Sequence, residues 1–391
     1  MSISSYEQFA VAQRRHVIKA ERGYLAFVPP PLPPEQVLDG ELVGLLSTAD
    51  RTIGELAGAG RVLPNPHLLS GSIIRREAVL SSRIEGAQAS LSDLVRFEAG
   101  QPGRGADDDV REVLNYVLAL RHVLAPDRVL PLSVRLLCDA HRILLTDVRG
   151  GYATPGELRR SQNWIGRPGC TLADASYVPP PPERLWECLD AFEKYLHADV
   201  QVPPLVNIAY LHYQFEAIHP FIDGNGRLGR LLIVLLLVEW GLLPAPLLDI
   251  SGYLEPHRDE YYQGLLEVST EGDWAGWLRF FLTAVAEQAA DAMRRARALQ
   301  TLRDDYRARL IAARSSSLLP RLADHLFEVP ALTIKAARDL LGVTHRAATL
   351  NIDKLVAADI VREVPSSGRA RMFLATEILD VVDGTARADH D

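Results

Sequence analysis

The feature that most constrains the fold of this chain is a twelve-residue polar segment, His219–Arg230, between two apolar helical patterns. Upstream, apolar residues recur at helical spacing and predict a helix that ends just before His219. Downstream, Leu231–Val238 is apolar on all sides, which predicts a helix buried at the centre of a domain. The segment is therefore predicted to be a loop that begins a second helix. The free N–H groups and partial positive charge at that helix start suit an anion.

The residues of this segment combine groups that phosphate chemistry needs. His219 can accept a proton from a hydroxyl near neutral pH, and Asp223 offers the carboxylate oxygens that Mg²⁺ prefers. Gly224 and Gly226 let the backbone approach a phosphate closely. Two guanidinium groups in the segment match phosphate oxygens, those of Arg227 and Arg230. The combination predicts phosphate-ester transfer from a nucleotide, and the alternative is a glycine-rich turn with a buried histidine.

These residues match the Fic family signature, His-Pro-Phe-x-(Asp/Glu)-Gly-Asn-Gly-Arg-x-x-Arg, and the chain resembles that family. The resemblance implies that His219 is the general base, that Asp223 binds Mg²⁺, and that Arg230 meets the γ-phosphate of ATP. The implied cradle for the other phosphates consists of Gly224, Asn225, Gly226, Arg227 and Gly229. The implied reaction moves AMP from ATP onto a Ser, Thr or Tyr hydroxyl of a target protein, including the chain itself.

A second motif lies upstream, where Ser81-Ser-Arg-Ile-Glu85-Gly86 ends a predicted helix. It resembles the inhibitory motif (Ser/Thr)-x-x-x-Glu-(Gly/Asn) of Fic proteins, with Ser81, Glu85 and Gly86 at the defined positions. The resemblance implies that Glu85 pairs with Arg230, takes the place of the γ-phosphate and prevents productive ATP binding. A carboxylate is a plausible substitute for phosphate in an arginine fork. The alternative is an ordinary solvated glutamate before a helix-ending glycine.

Two further segments resemble parts of the Fic nucleotide and target sites. Residues 163–182 have strand-like ends around Gly and Pro, and resemble the β-hairpin flap that aligns a target segment by strand addition. Its implied nucleotide contacts are Ala175, Ser176 and Tyr177, and the alternative is a rigid proline linker. Tyr261, Tyr262 and Ser269 resemble the residues that contact adenine, with Ser in place of the family's Asn. The alternative for the tyrosines is packing in the core.

Composition excludes several other classes of protein. The net charge is −8, which does not favour a general polyanion-binding protein. Three cysteines without a Cys-x-x-Cys pair indicate a reducing compartment, so a cytoplasmic location is predicted. No apolar run is long enough to span a bilayer, and no membrane association is predicted. The sequence does not determine the oligomeric state, and a homodimer is possible.

The predicted fold is mainly α, with a Fic-type helical core, a small β-hairpin flap and a C-terminal winged helix-turn-helix domain. We expect an N-terminal helical region with the inhibitory motif at 1–100 and a catalytic domain at 101–300. A linker helix and the winged helix would follow at 301–391. The loop breaks are predicted at 101–109, at Pro131 and at Gly150-Gly151.

The C-terminal prediction depends on a helix, a tight turn at Gly342 and a second helix from Thr344. Two short strand-like runs then flank Pro365-Ser-Ser-Gly368, a predicted wing hairpin. Between Thr333 and Phe373 there are seven Lys/Arg and four Asp/Glu, so this part is locally basic. DNA binding is possible but less favoured than a protein-interaction or dimerisation role of the same fold. The rival reading of the whole chain is a transcription regulator with the Fic domain as a nucleotide sensor.

Overall fold

The computed structural model describes residues 6–62, 66–100, 107–148, 154–312, 318–365 and 370–384. Residues 101–106 of the predicted break at 101–109 lie outside these residues, as do Gly150-Gly151 and most of the predicted wing turn. Residues 107–109 are instead the first turn of a helix, where the partial positive charge of the helix start favours acidic residues, so this part of the predicted loop is wrong. The described part is mainly helical, which confirms the predicted class. Its helices are α1 Gly40–Val62, α2 Pro66–Ile84, α3 Leu91–Glu98, α4 Asp107–Val123, α5 Val134–Leu144, α6 Pro182–Leu196, α7 Pro204–Ile218, α8 Asn225–Glu239, α9 Ser251–Leu254, α10 Arg258–Thr270, α11 Trp274–Ala312, α12 Leu319–Glu328, α13 Ile334–Leu341, α14 His345–Ala357 and α15 Thr376–Asp383. None of these described helices is long and apolar enough to cross a membrane.

The strands are short and form two small antiparallel sheets. β1 Val17–Lys19 pairs with β2 Leu25–Phe27, and this N-terminal hairpin is not predicted by the sequence analysis. β3 Ala331–Thr333, β4 Arg362–Val364 and β5 Met372–Leu374 form the second sheet, in the order β3-β5-β4.

The chain divides into two compact units, each drawn from several sequence segments. The first contains Met1–Ile53, Leu118–Leu242 and Ile250–Glu287, and the second contains Gly54–Val117, Leu243–Asp249 and Gln288–Asp391. These are spatial groupings, so the predicted division into three consecutive regions stays a prediction.

The core of the first unit is built around α7 and α8. α7 packs against α8, α6 and α10, and α5 packs against α8. Every residue of α7 from Leu205 to Ile218 is buried, and so is Leu231–Leu237 of α8. A helix that is apolar on all sides must be covered on all sides, as the sequence predicted for α8. The loop between them, residues 219–224, is therefore joined at both ends to a buried helix.

The second unit is organised around α2. α12 and α15 of the C-terminal segment pack against it, and so does α3. Ser72 donates from Oγ to the carbonyl of Phe327 at 3.2 Å, and Arg75 donates to the carbonyl of Glu328 at 2.8 Å. The helix whose last turn begins the predicted inhibitory motif is thus bonded directly to the C-terminal segment.

The C-terminal segment has the element order that the sequence predicts. Gly342 ends α13 with φ 66°, and the Thr344 side chain caps α14 by accepting from the Ala347 N–H at 3.3 Å. β4 and β5 are the two arms of the predicted hairpin, and they pair antiparallel. β3 and α15 are additions that the sequence analysis did not include. The assignment of this segment as a winged helix stays a prediction.

Candidate active site

The loop between α7 and α8 begins with a histidine in a left-handed conformation. His219 has φ 49° and ψ 62°, and its N–H donates to the carbonyl of Phe215 at 3.0 Å. Residues other than glycine seldom adopt this conformation. Nδ1 of His219 lies 3.2 Å from the carbonyl oxygen of Glu216. Because a carbonyl can only accept, Nδ1 carries the proton in the neutral ring, and Nε2 is then the basic nitrogen.

Bonds from side chains to the main chain shape the turn into α8. Gly224 has φ 78°, a region that favours glycine, and its N–H donates to Oδ1 of Asp223 at 2.6 Å. Asn225 is buried and uses both ends of its amide on Phe221. Its Oδ1 accepts from the Phe221 N–H at 2.9 Å, and its Nδ2 donates to the Phe221 carbonyl at 2.8 Å. The Asn225 side chain thus fixes the loop, and its predicted phosphate contact stays a prediction.

The first two turns of α8 bring the predicted cationic groups beside this loop. Arg227 and Arg230 are both buried. Nη2 of Arg227 lies 4.0 Å from Oδ1 of Asp223, whose side chain is 44% exposed. Gly226 is half-buried in the first turn of the helix. Gly229 lies against Glu216, and a Cβ at this position would overlap the Glu216 carboxylate. Any other residue at this position would force the buried carboxylate of α7 to shift.

The buried side chains of His212 and Tyr261 form a hydrogen-bonded pair beside Arg230. Nδ1 of His212 lies 3.0 Å from the carbonyl of Gly229, and its Nε2 lies 2.9 Å from the Tyr261 hydroxyl. His212 therefore donates through Nδ1 and accepts the Tyr261 proton at Nε2. Burial lowers the pKa of His212 to about 3, so this ring is neutral near pH 7. Tyr261 also interacts with Glu216 and with Arg230, and its burial raises the pKa of its hydroxyl well above 10.

The three residues with a predicted adenine contact differ in exposure. Tyr261 and Ser269 are buried, and Oγ of Ser269 lies 2.8 Å from the hydroxyl of Tyr213. Tyr262 is 39% exposed, with the guanidinium of Arg258 5.4 Å from its ring centroid. The core-packing alternative therefore describes the positions of Tyr261 and Ser269, whereas the ring of Tyr262 is accessible.

The predicted flap contains a single antiparallel bridge, between Ile165 and Tyr177. The Ile165 N–H donates to the Tyr177 carbonyl at 2.9 Å, and the Ser176 N–H donates to the Ile165 carbonyl at 2.8 Å. Ala175 and Tyr177 are buried, and the Tyr177 hydroxyl donates to the carbonyl of Ala217 at 2.8 Å. The side chain of Tyr177 thus anchors the flap to α7. The carbonyl of Val178 accepts from the N–H of Phe27, so β2 supports the flap from the other side.

The sequence analysis missed a histidine that supports Asp223. His141 of α5 is fully buried, and its ring stacks on Phe221 with centroids 3.8 Å apart. Its Nε2 lies 2.9 Å from the Asp223 carbonyl, and its Nδ1 accepts from the Gly156 N–H at 2.9 Å. Burial lowers the pKa of His141 to about 4, so the ring is neutral and has one fixed tautomer. His141 therefore ties the loop to the segment before the flap.

Two further residues that the sequence analysis missed support His219. Arg159 and Asn163 both donate to the carbonyl of His219, Arg159 through Nε at 2.8 Å and Asn163 through Nδ2 at 3.3 Å. Asn163 also donates to the carbonyl of Phe221 at 2.7 Å. A sequence signal exists only for His141, a polar residue on the apolar face of an amphipathic helix. That face also includes Leu137 and Leu144, four residues before and three after it.

In the second unit, the predicted inhibitory motif begins in the last turn of α2, and Glu85 and Gly86 directly follow the helix. Ser81 is buried, whereas Glu85 is exposed. The Glu85 N–H donates to the carbonyl of Ser82 at 3.1 Å, and Gly86 has φ 101°. A glycine with positive φ is an ordinary helix ending. This local geometry is compatible with both readings of the motif, so the inhibitory role of Glu85 stays a prediction.

The chain matches two family models. Residues 43–125 match the Fic/DOC family N-terminal region, and residues 131–237 match the Fic/DOC family. The first match includes α2 and the Ser81–Gly86 motif, and the second includes the loop from His219 to Arg230.

Curated relatives and solved structures agree with these models. The chain is 32% identical over 179 residues to "Protein adenylyltransferase Fic" of Drosophila persimilis, which covers 44% of this chain and 31% of that protein. It is 27% identical over 294 residues to the Drosophila yakuba protein of the same name, covering 70% of this chain and 55% of that one. The chain thus spans between about a third and about half of the length of these relatives.

A Fic family protein from Desulfovibrio desulfuricans G20 has the same fold, with a TM-score of 0.57 at 21% identity. That likeness covers 88% of this chain and 98% of the other. Fic-1 (residues 134–508) from C. elegans has a TM-score of 0.50 at 25% identity, covering 67% of this chain and 73% of that one. The predicted Fic-type helical core is therefore confirmed, and the chain contains a Fic/DOC N-terminal region and a Fic/DOC domain.

Proposed function

We propose that this protein is a protein adenylyltransferase that transfers AMP from ATP to a hydroxyl group of a protein. The observation that carries the proposal is the loop from His219 to Asn225. It presents a histidine whose Nε2 is the basic nitrogen, an accessible carboxylate at Asp223 and the start of α8. The curated relatives named protein adenylyltransferases support the same reaction class.

The reaction follows from these positions. Nε2 of His219 takes the proton of a target hydroxyl, and the hydroxyl oxygen forms a bond to the α-phosphorus of ATP. The bond from that phosphorus to the bridging oxygen breaks, and pyrophosphate leaves with its electron pair. The N–H groups at the start of α8 and the guanidinium of Arg227 stabilise the phosphate oxygens. Arg230 binds the γ-phosphate in this proposal.

The site suits Mg²⁺ as the accompanying ion. The Asp223 carboxylate is an oxygen donor and its side chain is 44% exposed, beside the helix start where the phosphates would lie. Mg²⁺ is commonly held by one or two carboxylates plus substrate phosphates. Bound through Asp223, it would neutralise charge on the phosphates of ATP.

The neighbouring surfaces suggest where the rest of the substrates bind. We assign the adenine to the exposed ring of Tyr262, since stacking requires an accessible aromatic face. The target segment is assigned to the flap, where Trp164 and Ile165 are 41% and 38% exposed. Autoinhibition by Glu85 and modification of the chain itself belong to the same proposal.

The contacts of the C-terminal segment lend less support to DNA binding. Arg338, Arg362 and Arg371 each form an ion pair with a neighbouring carboxylate, which reduces the local positive charge. α14, the predicted recognition helix, also exposes Leu350, at 55%. DNA binding and a homodimer stay predictions, and a protein-binding role of this segment is the better supported alternative.

The test is transfer of label from ATP labelled at the α-phosphate to protein. The experiment compares the parent chain, Glu85→Gly, and Glu85→Gly combined with His219→Ala or with Asp223→Ala. We expect transfer by Glu85→Gly, its loss on either second substitution and its loss with EDTA. Nucleotide binding should persist in the His219→Ala protein. Transfer at an undiminished rate without His219 would overturn the proposed base.

A further inference from the structure

Arg159 is a buried arginine whose side chain contacts four carbonyls, including that of His219, the candidate base. Nε of Arg159 donates to the His219 carbonyl at 2.8 Å, and Nη2 donates to those of Pro180 and Ile218 at 2.5 and 3.3 Å. Nη1 lies 3.4 Å from the Ser161 carbonyl. One side chain therefore joins the end of α7, the candidate base and the C-terminal part of the flap.

The main chain of Arg159 extends this contact. Its N–H donates to the carbonyl of Pro220 at 3.0 Å. The carbonyls of Ile218, His219 and Pro220 thus all accept from the same residue. Carbonyls at the end of a helix have no partner within the helix, and a buried one without a partner costs about 1–3 kcal/mol.

The charge of Arg159 suits its position. Burial lowers the pKa of its guanidinium to about 10, so the group is still charged near pH 7. The C-terminal end of a helix carries a partial negative charge at its carbonyls, and a cation there is stabilising. A hydroxyl has one donor and a side-chain amide has two, whereas a guanidinium has five donors in one plane and can satisfy several carbonyls at once.

His219 needs such support because of its backbone conformation. A non-glycine residue with positive φ is held in a strained region only when surrounding contacts fix it. Arg159 and Asn163 bond to the carbonyl of that same residue. The direction of its side chain depends on this backbone angle, and so does the 3.2 Å contact of Nδ1 with the Glu216 carbonyl.

We propose that Arg159 is a positioning residue for the transfer reaction, which holds His219 in its left-handed conformation and ties the flap to it. The inference rests on the proposed function. Arg159 orients the base and the flap without itself contacting the reacting atoms. The phosphate-binding part of the site depends instead on the start of α8, which Asn225 and His141 hold from other directions.

The test compares Arg159→Met, Arg159→Lys and Arg160→Met in the Glu85→Gly background. Arg159→Met should lower kcat for label transfer by up to about 10²-fold, the effect of misplacing a reacting group by about 1 Å. The KM for ATP should change by less than about threefold, because the substitution displaces His219 and leaves the phosphate-binding start of α8 in place. Lysine keeps the charge and part of the donor set, so Arg159→Lys should recover part of kcat.

Arg160→Met is the matched control. Its side chain is 89% exposed and its partner is Glu157, so its removal should leave kcat and KM unchanged. If Arg159→Met does not fold, Arg159→Lys carries the test, with a smaller loss of kcat at the same KM. If both Arg159 variants lose affinity for ATP as much as they lose kcat, the whole site is damaged and the positioning role is overturned.

A readout that does not use activity separates this inference from the proposed function. Nitrogen-15 NMR of labelled histidine reports the tautomer of His219, assigned by the signal that His219→Ala removes. We expect the Nδ1–H tautomer in the Arg160→Met protein and its loss in Arg159→Met. An unchanged His219 tautomer in Arg159→Met would refute the inference. Absence of transfer by Glu85→Gly itself would instead refute the proposed function, and the NMR comparison would still stand.

Discussion

The loop at the candidate active site and helix α2 are both held by buried polar side chains, but in different ways. In the loop, His141, Arg159, Asn163 and Asn225 all bond to main-chain groups. In α2, three consecutive charged residues bond to side chains of different elements. Arg75 pairs with Glu98, Arg76 pairs with Asp249, and Glu77 accepts from the Tyr116 hydroxyl at 3.1 Å.

The difference follows from the backbone. A helix satisfies its own N–H and C=O groups, so only its side chains are available to fix it against neighbours. An irregular buried loop leaves main-chain groups without partners, and side chains elsewhere must supply them. Substitutions around the loop should therefore disturb geometry and rate, whereas substitutions around α2 should leave charges unpaired and reduce stability.

The largest expected effect is a loss of unfolding free energy when a side-chain contact of α2 is removed. Asp249 is fully buried between Arg76 and Arg295. Asp249→Ala leaves the buried guanidinium of Arg295 and the half-buried guanidinium of Arg76 without this partner, which should lower the free energy of unfolding by about 3–5 kcal/mol. Chemical denaturation measures the change. The control is Asp339→Ala, which removes an exposed partner of Arg338 and should change stability by less than about 1 kcal/mol. Equal effects of the two substitutions would contradict the comparison.

The next effect concerns the loop. His141→Leu removes the partners of the Asp223 carbonyl and the Gly156 N–H. In the Glu85→Gly background we expect label transfer to fall by about 10- to 100-fold, because Asp223 loses its support. The loss of unfolding free energy should be smaller than for Asp249→Ala. His122→Leu, at an exposed histidine of α4, is the control and should leave both quantities unchanged.

A smaller effect tests whether the end of α2 controls the loop. Glu85→Gly should raise label transfer by about tenfold, the size of an ordinary coupling between two sites. Arg230→Ala added to it should cancel the gain, since the γ-phosphate needs the same guanidinium. If the parent chain and Glu85→Gly transfer label at equal rates, Glu85 is only a helix-end residue and the inhibitory proposal fails.

The most gradual effect is a dependence of stability on pH. The pKa of His212 is about 3 in the folded chain, against 6.5 for an ordinary histidine. Between these values the unfolded chain binds the extra proton, so this contribution to stability is complete above pH 6.5 and decreases as the pH falls. The slope is at most about 1.4 kcal/mol per pH unit. His212→Gln should flatten the curve of unfolding free energy against pH between 6.5 and 4, and an unchanged slope would contradict this assignment.

The sequence by itself determined the features that are local along the chain. Three features follow from spacing, glycines and apolar periodicity: the segment from His219 to Arg230, its position between two buried helices, and the order of α13, α14, β4 and β5 in the C-terminal segment. Such features depend on residues within a few positions of one another, and the helical repeat records them directly.

Only the tertiary structure decided what holds the loop. His141 lies 82 residues before Asp223 and Arg159 lies 60 residues before His219, and each donates to or contacts the carbonyl of that loop residue. The same applies to the burial of Tyr261 and Ser269, to the single bridge of the flap and to the contact of α12 with α2. A hydrogen bond between distant residues leaves no periodic trace in the sequence, because its partner is a main-chain carbonyl that every residue type provides.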